Sequence, residues 1–248
     1  MTTTTRTAQP TRRAPQWRRS AAWQLGVYAY LMAWAWAIAL VVVVAVLAIV
    51  SRSVDVEMSA VAFSHHAFLW FPFSIAIMVT TSLLTTHVAA GMTRASFIKG
   101  AIIAAVTTGV GNAVVATTLL VTERWVYDRL GWVHGSGDVG RTVLQDGALR
   151  YGAGLALLFS AGMLSGLLVG ICFYRLGGLG GILALPLALS PILLTGWVGM
   201  PSDDQWTAWG NAPGSMPSHP LLGVLVLAAA AAAYHLLVRR VPIAKKEG

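Results

Sequence analysis

The chain has 248 residues, of which 56% are hydrophobic and only 10% charged, with a mean hydropathy of +0.69 and a formal net charge of +8. Soluble domains carry about 25% charged residues, so this composition excludes a water-solvated globular protein and points to a chain solvated by lipid. The positive balance does not indicate nucleic acid, because the cations sit in short segments flanking apolar runs, where topology signals are placed.

Residues 1–16 are rich in Thr, Arg, Pro and Gln and read as a disordered basic cytoplasmic tail that cannot bury a core. Residues 17–26 put Trp17 and Trp23 beside Arg18 and Arg19, a mixture suited to the headgroup layer. They predict a short interfacial helix before the first span, with a plain basic flank as the alternative. The first apolar run is too long for a cleavable signal peptide.

Six apolar runs follow, at 27–50, 67–90, 99–121, 151–174, 177–200 and 219–238. Each is near the roughly 20 residues that cross a bilayer core. The expected fold is therefore an all-α integral membrane protein, with residues 27–238 as a six-span transmembrane domain and 239–248 as a second basic tail. Gly177, Gly178, Gly180, Gly181, Pro186 and Pro191 weaken the fifth run and predict a kinked or partly re-entrant segment. Between the third and fourth runs, residues 122–150 predict a short surface helix, ERWVYDRLGWV, before the turn HGSGDVG. Residues 201–218 read as a loop at the interface.

Charge sets the orientation. With the N-terminus in the cytoplasm, the inner segments carry 12 cations and one acid, and the outer segments 5 cations and 8 acids. The resulting +11 inside and −3 outside follow the positive-inside rule and place both termini in the cytoplasm, in a plasma-membrane protein.

The runs hold no Asp, Glu, Lys or Arg well inside them, which argues against ion-coupled transport. Asn112, Thr81, Thr85 and Thr108 are the candidates for lining a path. The ordinary alternatives are an interhelical hydrogen bond for Asn112 and bonding of the threonines to their own helix carbonyls. Gly162, Gly166 and Gly170 repeat every four residues and let another helix approach, either within the bundle or across a homodimer seam. The six histidines show no spacing for a metal site and read as surface or interfacial residues. Ser165 and His235 follow the Ser-His order of rhomboid proteases, but Ser165 lies too deep and lacks a glycine two positions before it. No catalytic residue, metal or cofactor is expected, and no P-loop motif is present.

The segment Gly91–Gly100, GMTRASFIKG, is a short polar elbow between the second and third runs. Six spans, inner termini, a basic-aromatic lead-in and an elbow reading G-M-T-R-x-x-F-x-x-G resemble the ABC-2-type transporter permeases. The resemblance covers the whole chain as architecture and about ten residues as motif. It implies a permease subunit of an ATP-driven transporter, an exporter, paired with a second permease copy or paralogue and with a separate P-loop ATPase that holds ATP and Mg. It also implies that the elbow couples to that ATPase. Gly91 would then end the second span and Thr93 would cap a short following helix. Arg94 and Lys99 would meet headgroups or acidic positions, and Phe97 and Ile98 would wedge into the ATPase. A non-transport scaffold or accessory subunit is the alternative.

Overall fold

The computed structural model describes residues 15–54, 56–135, 144, 147–199 and 220–239. The predicted tails, the 201–218 loop and the HGSGDVG turn beyond Gly135 fall wholly or mostly outside them. Among the described residues the chain is helical: α1 (Gln16–Val50), α2 (Ala60–Ala89), α3 (Arg94–Leu130), α4 (Ala148–Gly199) and α5 (Pro220–Arg239). All five are long and apolar enough to cross a membrane.

Two boundaries depart from the expected ones. Residues 17–26 are not a separate interfacial helix: α1 runs unbroken for 35 residues, about 50 Å against a hydrocarbon core of about 30 Å. Nothing in QWRRSAAWQLG breaks a helix, so the basic start and the apolar run are one rod. Likewise α3 runs for 37 residues and takes in the expected surface helix as its last turns. Gly131, in the left-handed region at φ 70°, then ends it.

The fourth and fifth runs meet at Gly177 (φ 70°, ψ −169°), where the helix is interrupted close to the expected boundary. The backbone folds back there. A β-carbon built on Gly181 would come within 2.5 Å of the Phe173 ring, although eight residues of straight helix span about 12 Å. The glycines of LGGLGG allow this reversal, so α4 is a helical hairpin with arms 148–176 and 178–199. In the second arm Pro191 removes the N–H that would bond Leu187, and the Ser190 hydroxyl donates to the Leu187 carbonyl instead, at 2.8 Å.

The first arm of α4 is the axis of the bundle. Leu155, Leu158, Phe159, Met163, Leu164, Leu167 and Ile171 are all buried along it, and α2, α3 and α5 pack around it. α1 lies outside, chiefly against α3. The Gly162-Gly166-Gly170 stripe faces α2: a methyl at Gly166 would overlap the Phe73 carbonyl oxygen, and one at Gly170 would come within 2.8 Å of that of Ile77. The stripe is thus an internal seam rather than a homodimer surface. On the second arm of α4 Leu179, Leu183 and Leu187 face outward, with Leu183 83% exposed, while Ile192 is buried.

Gly166→Ala should therefore destabilise the protein by about 1–3 kcal/mol through overpacking. Gly111→Ala, where an added methyl meets nothing within 4 Å, should be neutral or slightly stabilising. Melting curves of the two variants in detergent, compared with the parent, check this.

Candidate functional site

The elbow is a four-residue corner. The N–H groups of Gly91 and Met92 bond the carbonyls of Val88 and His87 at 3.0 and 3.2 Å, with Gly91 at φ 78°. This is a Schellman closure, which glycine enters without steric cost. Thr93 then caps α3, accepting from the Ser96 N–H at 3.2 Å. Ser96 Oγ donates to the Thr93 carbonyl at 2.6 Å and pairs with His87 Nε2 at 3.1 Å, so the end of α2 is bound to the start of α3. The Thr93 N–H reaches Gln16 Oε1 at 3.4 Å. A β-carbon on Gly100 would come within 2.9 Å of the Ala21 nitrogen. The start of α1 therefore lies directly on this corner.

No separate short helix forms at the elbow, because Thr93 caps the whole of α3. The expected docking wedge is overturned as well: Phe97 and Ile98 are each 1% exposed. They lie in the core, and His87 meets the Phe97 ring edge-on at 5.2 Å. Once α3 starts at Arg94, positions 97 and 98 fall on its inner face. The outward surface consists of Gly91, Thr93, Ala95 and Lys99, with half-buried Arg94 and Met92, beside exposed Gln16, Arg18 and Arg19. Trp17 is half-buried under the Arg18 guanidinium, 5.3 Å away, and Trp23 is exposed.

Of the four candidate path residues, Asn112 and Thr81 are committed to helix contacts. Asn112 is buried and bridges α3 to α1, accepting from Trp36 Nε1 at 3.2 Å and donating to Met32 Sδ at 3.3 Å. Trp36 is held in turn by stacking on Phe68, with ring centroids 3.4 Å apart. Thr81 bonds the Ile77 carbonyl of its own helix at 3.1 Å. Thr85 is half-buried, and Thr108 is packed in the α3 interior face. Ser165 Oγ is fully buried with no hydrogen-bond partner, so it is not paired with His235.

At the other end of α2 the structure assembles a polar cluster that the sequence does not reveal. Glu123, two residues past the third apolar run, is 8% exposed rather than an outer surface acid. Its carboxylate accepts from the N–H groups of Ala60 and Val61 at 2.8 and 3.1 Å. It also accepts from the Ser59 hydroxyl and pairs with His134 Nε2 at 3.1 Å. Ser59 Oγ takes the Ala62 N–H, and the Ser59 N–H bonds the Gly135 carbonyl at 2.9 Å. All four N–H groups that a helix start leaves open are thereby satisfied, and the carboxylate sits at the positive end of the α2 dipole. Tyr127, one turn after Glu123, donates to the Met58 carbonyl at 3.3 Å and stands edge-on to His134. His134 is thus a buried structural partner rather than a surface histidine. Ser59 is recognisable as a cap before the helix, but its acceptor lies 64 residues away.

Burial pushes the Glu123 carboxyl up, yet hydrogen bonds from His134, Ser59 and the Val61 N–H, with the His134 charge, outweigh it and hold the group below its usual range. Burial and the Glu123 charge push the Tyr127 phenol up. Among the described residues no group of three or more His, Cys, Asp or Glu is placed to hold a metal.

No protein-family model matches the chain, and neither curated proteins nor solved structures yield a match.

Glu123→Ala removes the acceptor of four donors, three of them buried, and should cost about 3 kcal/mol. A lowered folded pKa contributes stability that is present above the unfolded value and lost as pH falls through the folded one. The melting-temperature advantage of the parent over Glu123→Gln should therefore be full near neutral pH and shrink below about pH 4. A pH series of melting curves in detergent tests both.

Proposed function

We propose that this chain is the membrane subunit of an ATP-driven transporter of the ABC-2 type, an exporter, working with a separate P-loop ATPase and a second permease copy or paralogue. In this reading the two arms of α4 are separate spans, which brings the number to six. The end of the bundle that carries the elbow faces the cytoplasm, as the cation distribution requires. The ATPase binds ATP and Mg, and this chain performs no chemistry of its own.

The observation that carries the proposal is the construction of the elbow. A corner closed by Gly91, capped by Thr93 and anchored through buried Phe97 and Ile98 has little freedom to bend by itself. A push on its outward surface would pass to α2 and α3 as a unit. The docking surface is then Thr93, Ala95, Arg94 and Lys99 with the start of α1, and contact is polar and electrostatic rather than an aromatic wedge. A second reading, a scaffold or accessory subunit that moves nothing, is favoured by the dispersal of the candidate path residues into helix contacts.

Purification of the tagged chain from its own membranes separates the two. The transporter reading expects a protein with Walker motifs to co-purify, and Arg94→Glu with Lys99→Glu to reduce its recovery at least tenfold while expression and melting stay unchanged. Undiminished recovery with the double variant would exclude the elbow as the coupling site. Absence of any P-loop ATPase from the parent preparation would favour the scaffold.

A further inference from the structure

α1 and α3 run side by side in the same direction, and two contacts fix their register. A β-carbon on Gly100 would come within 2.8 Å of Ser20 Cβ, and Asn112 bonds Met32. Each α1 residue thus sits level with the α3 residue about 80 positions later in the chain. Trp17 is level with Phe97, and Trp125 stands 28 residues further along α3. At helical rise this is about 42 Å, or about 39 Å along the membrane normal at an average tilt of about 20°. A bilayer with its headgroups is about 40–45 Å thick.

The two levels share one chemistry. The Arg18 guanidinium lies 5.3 Å from the Trp17 ring centroid, and that of Arg129 lies 4.7 Å from the Trp125 centroid. Trp34 and Trp70 are also exposed, but in stretches without Arg or Lys. A guanidinium stacked on a ring uses its face, which leaves the N–H groups at its edge to reach a phosphate. Trp125 is 58% exposed and Arg129 is exposed beside it. Arg124 and Asp128, exposed on the same turns, offset one another, so Arg129 leaves a net cation. Residues 100–122 of α3 hold no charged residue and span about 34 Å, enough for a hydrocarbon core of about 30 Å.

We propose that the last turns of α3 are the outer headgroup anchor of the protein. Trp125 lies among the glycerol and carbonyl groups of outer-leaflet phospholipids and Arg129 binds their phosphates, opposite Trp17 and Arg18 in the inner leaflet. These turns then do not project into the outer solution. The Glu123-Ser59 closure of α2, two residues before Trp125, lies at the edge of the hydrocarbon. The assignment rests on the chain being membrane-embedded, with the elbow end at the inner headgroups. It does not depend on the elbow engaging an ATPase, so the co-purification experiment and the depth experiment fail independently.

Spin labels on the full-length protein in liposomes of phosphatidylcholine and phosphatidylglycerol read the depth. Oxygen collects at the bilayer centre and a polar nickel chelate stays in water, so the ratio of their collision rates with a label reports its level. With Cys172→Ala as background, Arg19→Cys, Gly111→Cys and Val126→Cys each place one label at an exposed position. Gly111 is midway between the two levels. The ratio should peak there and fall to matching headgroup values at 19 and 126. A 126 label as open to the nickel chelate as one in bulk water would put these turns in solution and overturn the proposal. A 126 label shielded from both quenchers would show that protein covers this face, and would equally overturn it. Trp125→Ala with Arg129→Gln removes the anchor at two exposed positions and should leave the melting temperature in detergent unchanged. In liposomes it should raise nickel access at 126 and lower the ratio at 111. Labels that stay in place in the folded double variant would show that the pair holds nothing.

Discussion

The closest constraint on this molecule is the distance between the backbone of α2 and the first arm of α4. Helices in lipid gain little from hiding apolar surface, since the solvent is as apolar as they are, so association depends on close packing and hydrogen bonding. The Gly162-Gly166-Gly170 stripe supplies that packing by admitting the α2 backbone where any β-carbon would collide. The same device recurs at other helix contacts. Gly100 admits α1, Gly109 meets the Ser160 backbone, Gly152 meets Thr117 and Gly223 meets Leu157. Glycine takes these close contacts, while Leu155, Phe159 and Met163 fill the core and Leu179, Leu183 and Leu187 on the second arm of α4 are left outward.

The second constraint is the satisfaction of backbone groups where helices begin, end or break, for which the bilayer offers no water. α2 shows how fully this is met. Its first turn is closed by Ser59, Glu123 and the Gly135 carbonyl, and its last by the Gly91 closure. Both closures involve α3, which supplies Glu123 near one end and Thr93 and Ser96 at the other. The two helices are therefore tied at both extremities.

Polar residues inside the bundle serve the same end. Asn112 and Trp36 satisfy one another between α1 and α3, and Thr80 meets the Tyr234 hydroxyl between α2 and α5 at 3.3 Å. Other hydroxyls fold back onto their own helices, as Thr118 does on Val114 and Thr122 on Thr118. A threonine-rich span here signals self-satisfied helix rather than a lined channel.

Composition and run length alone indicated that the chain is helical and built for lipid, because unbroken apolar runs of about 20 residues have the length of spanning helices rather than of shorter barrel strands. Local chemistry was equally legible: Gly91 in the left-handed region, Thr93 as a cap and a reversal among the glycines near 177 depend on residues only a few positions apart. What tertiary structure decided was direction and partnership. Long apolar runs have no polar face to indicate which side turns inward, so Phe97 and Ile98 read as exposed anchors when they are core. The glycine stripe read as a seam within the bundle, with a homodimer surface as the alternative. Glu123 looked like an outer acid because Ser59 and His134, the groups that bury it, come from segments that only the folded bundle brings together.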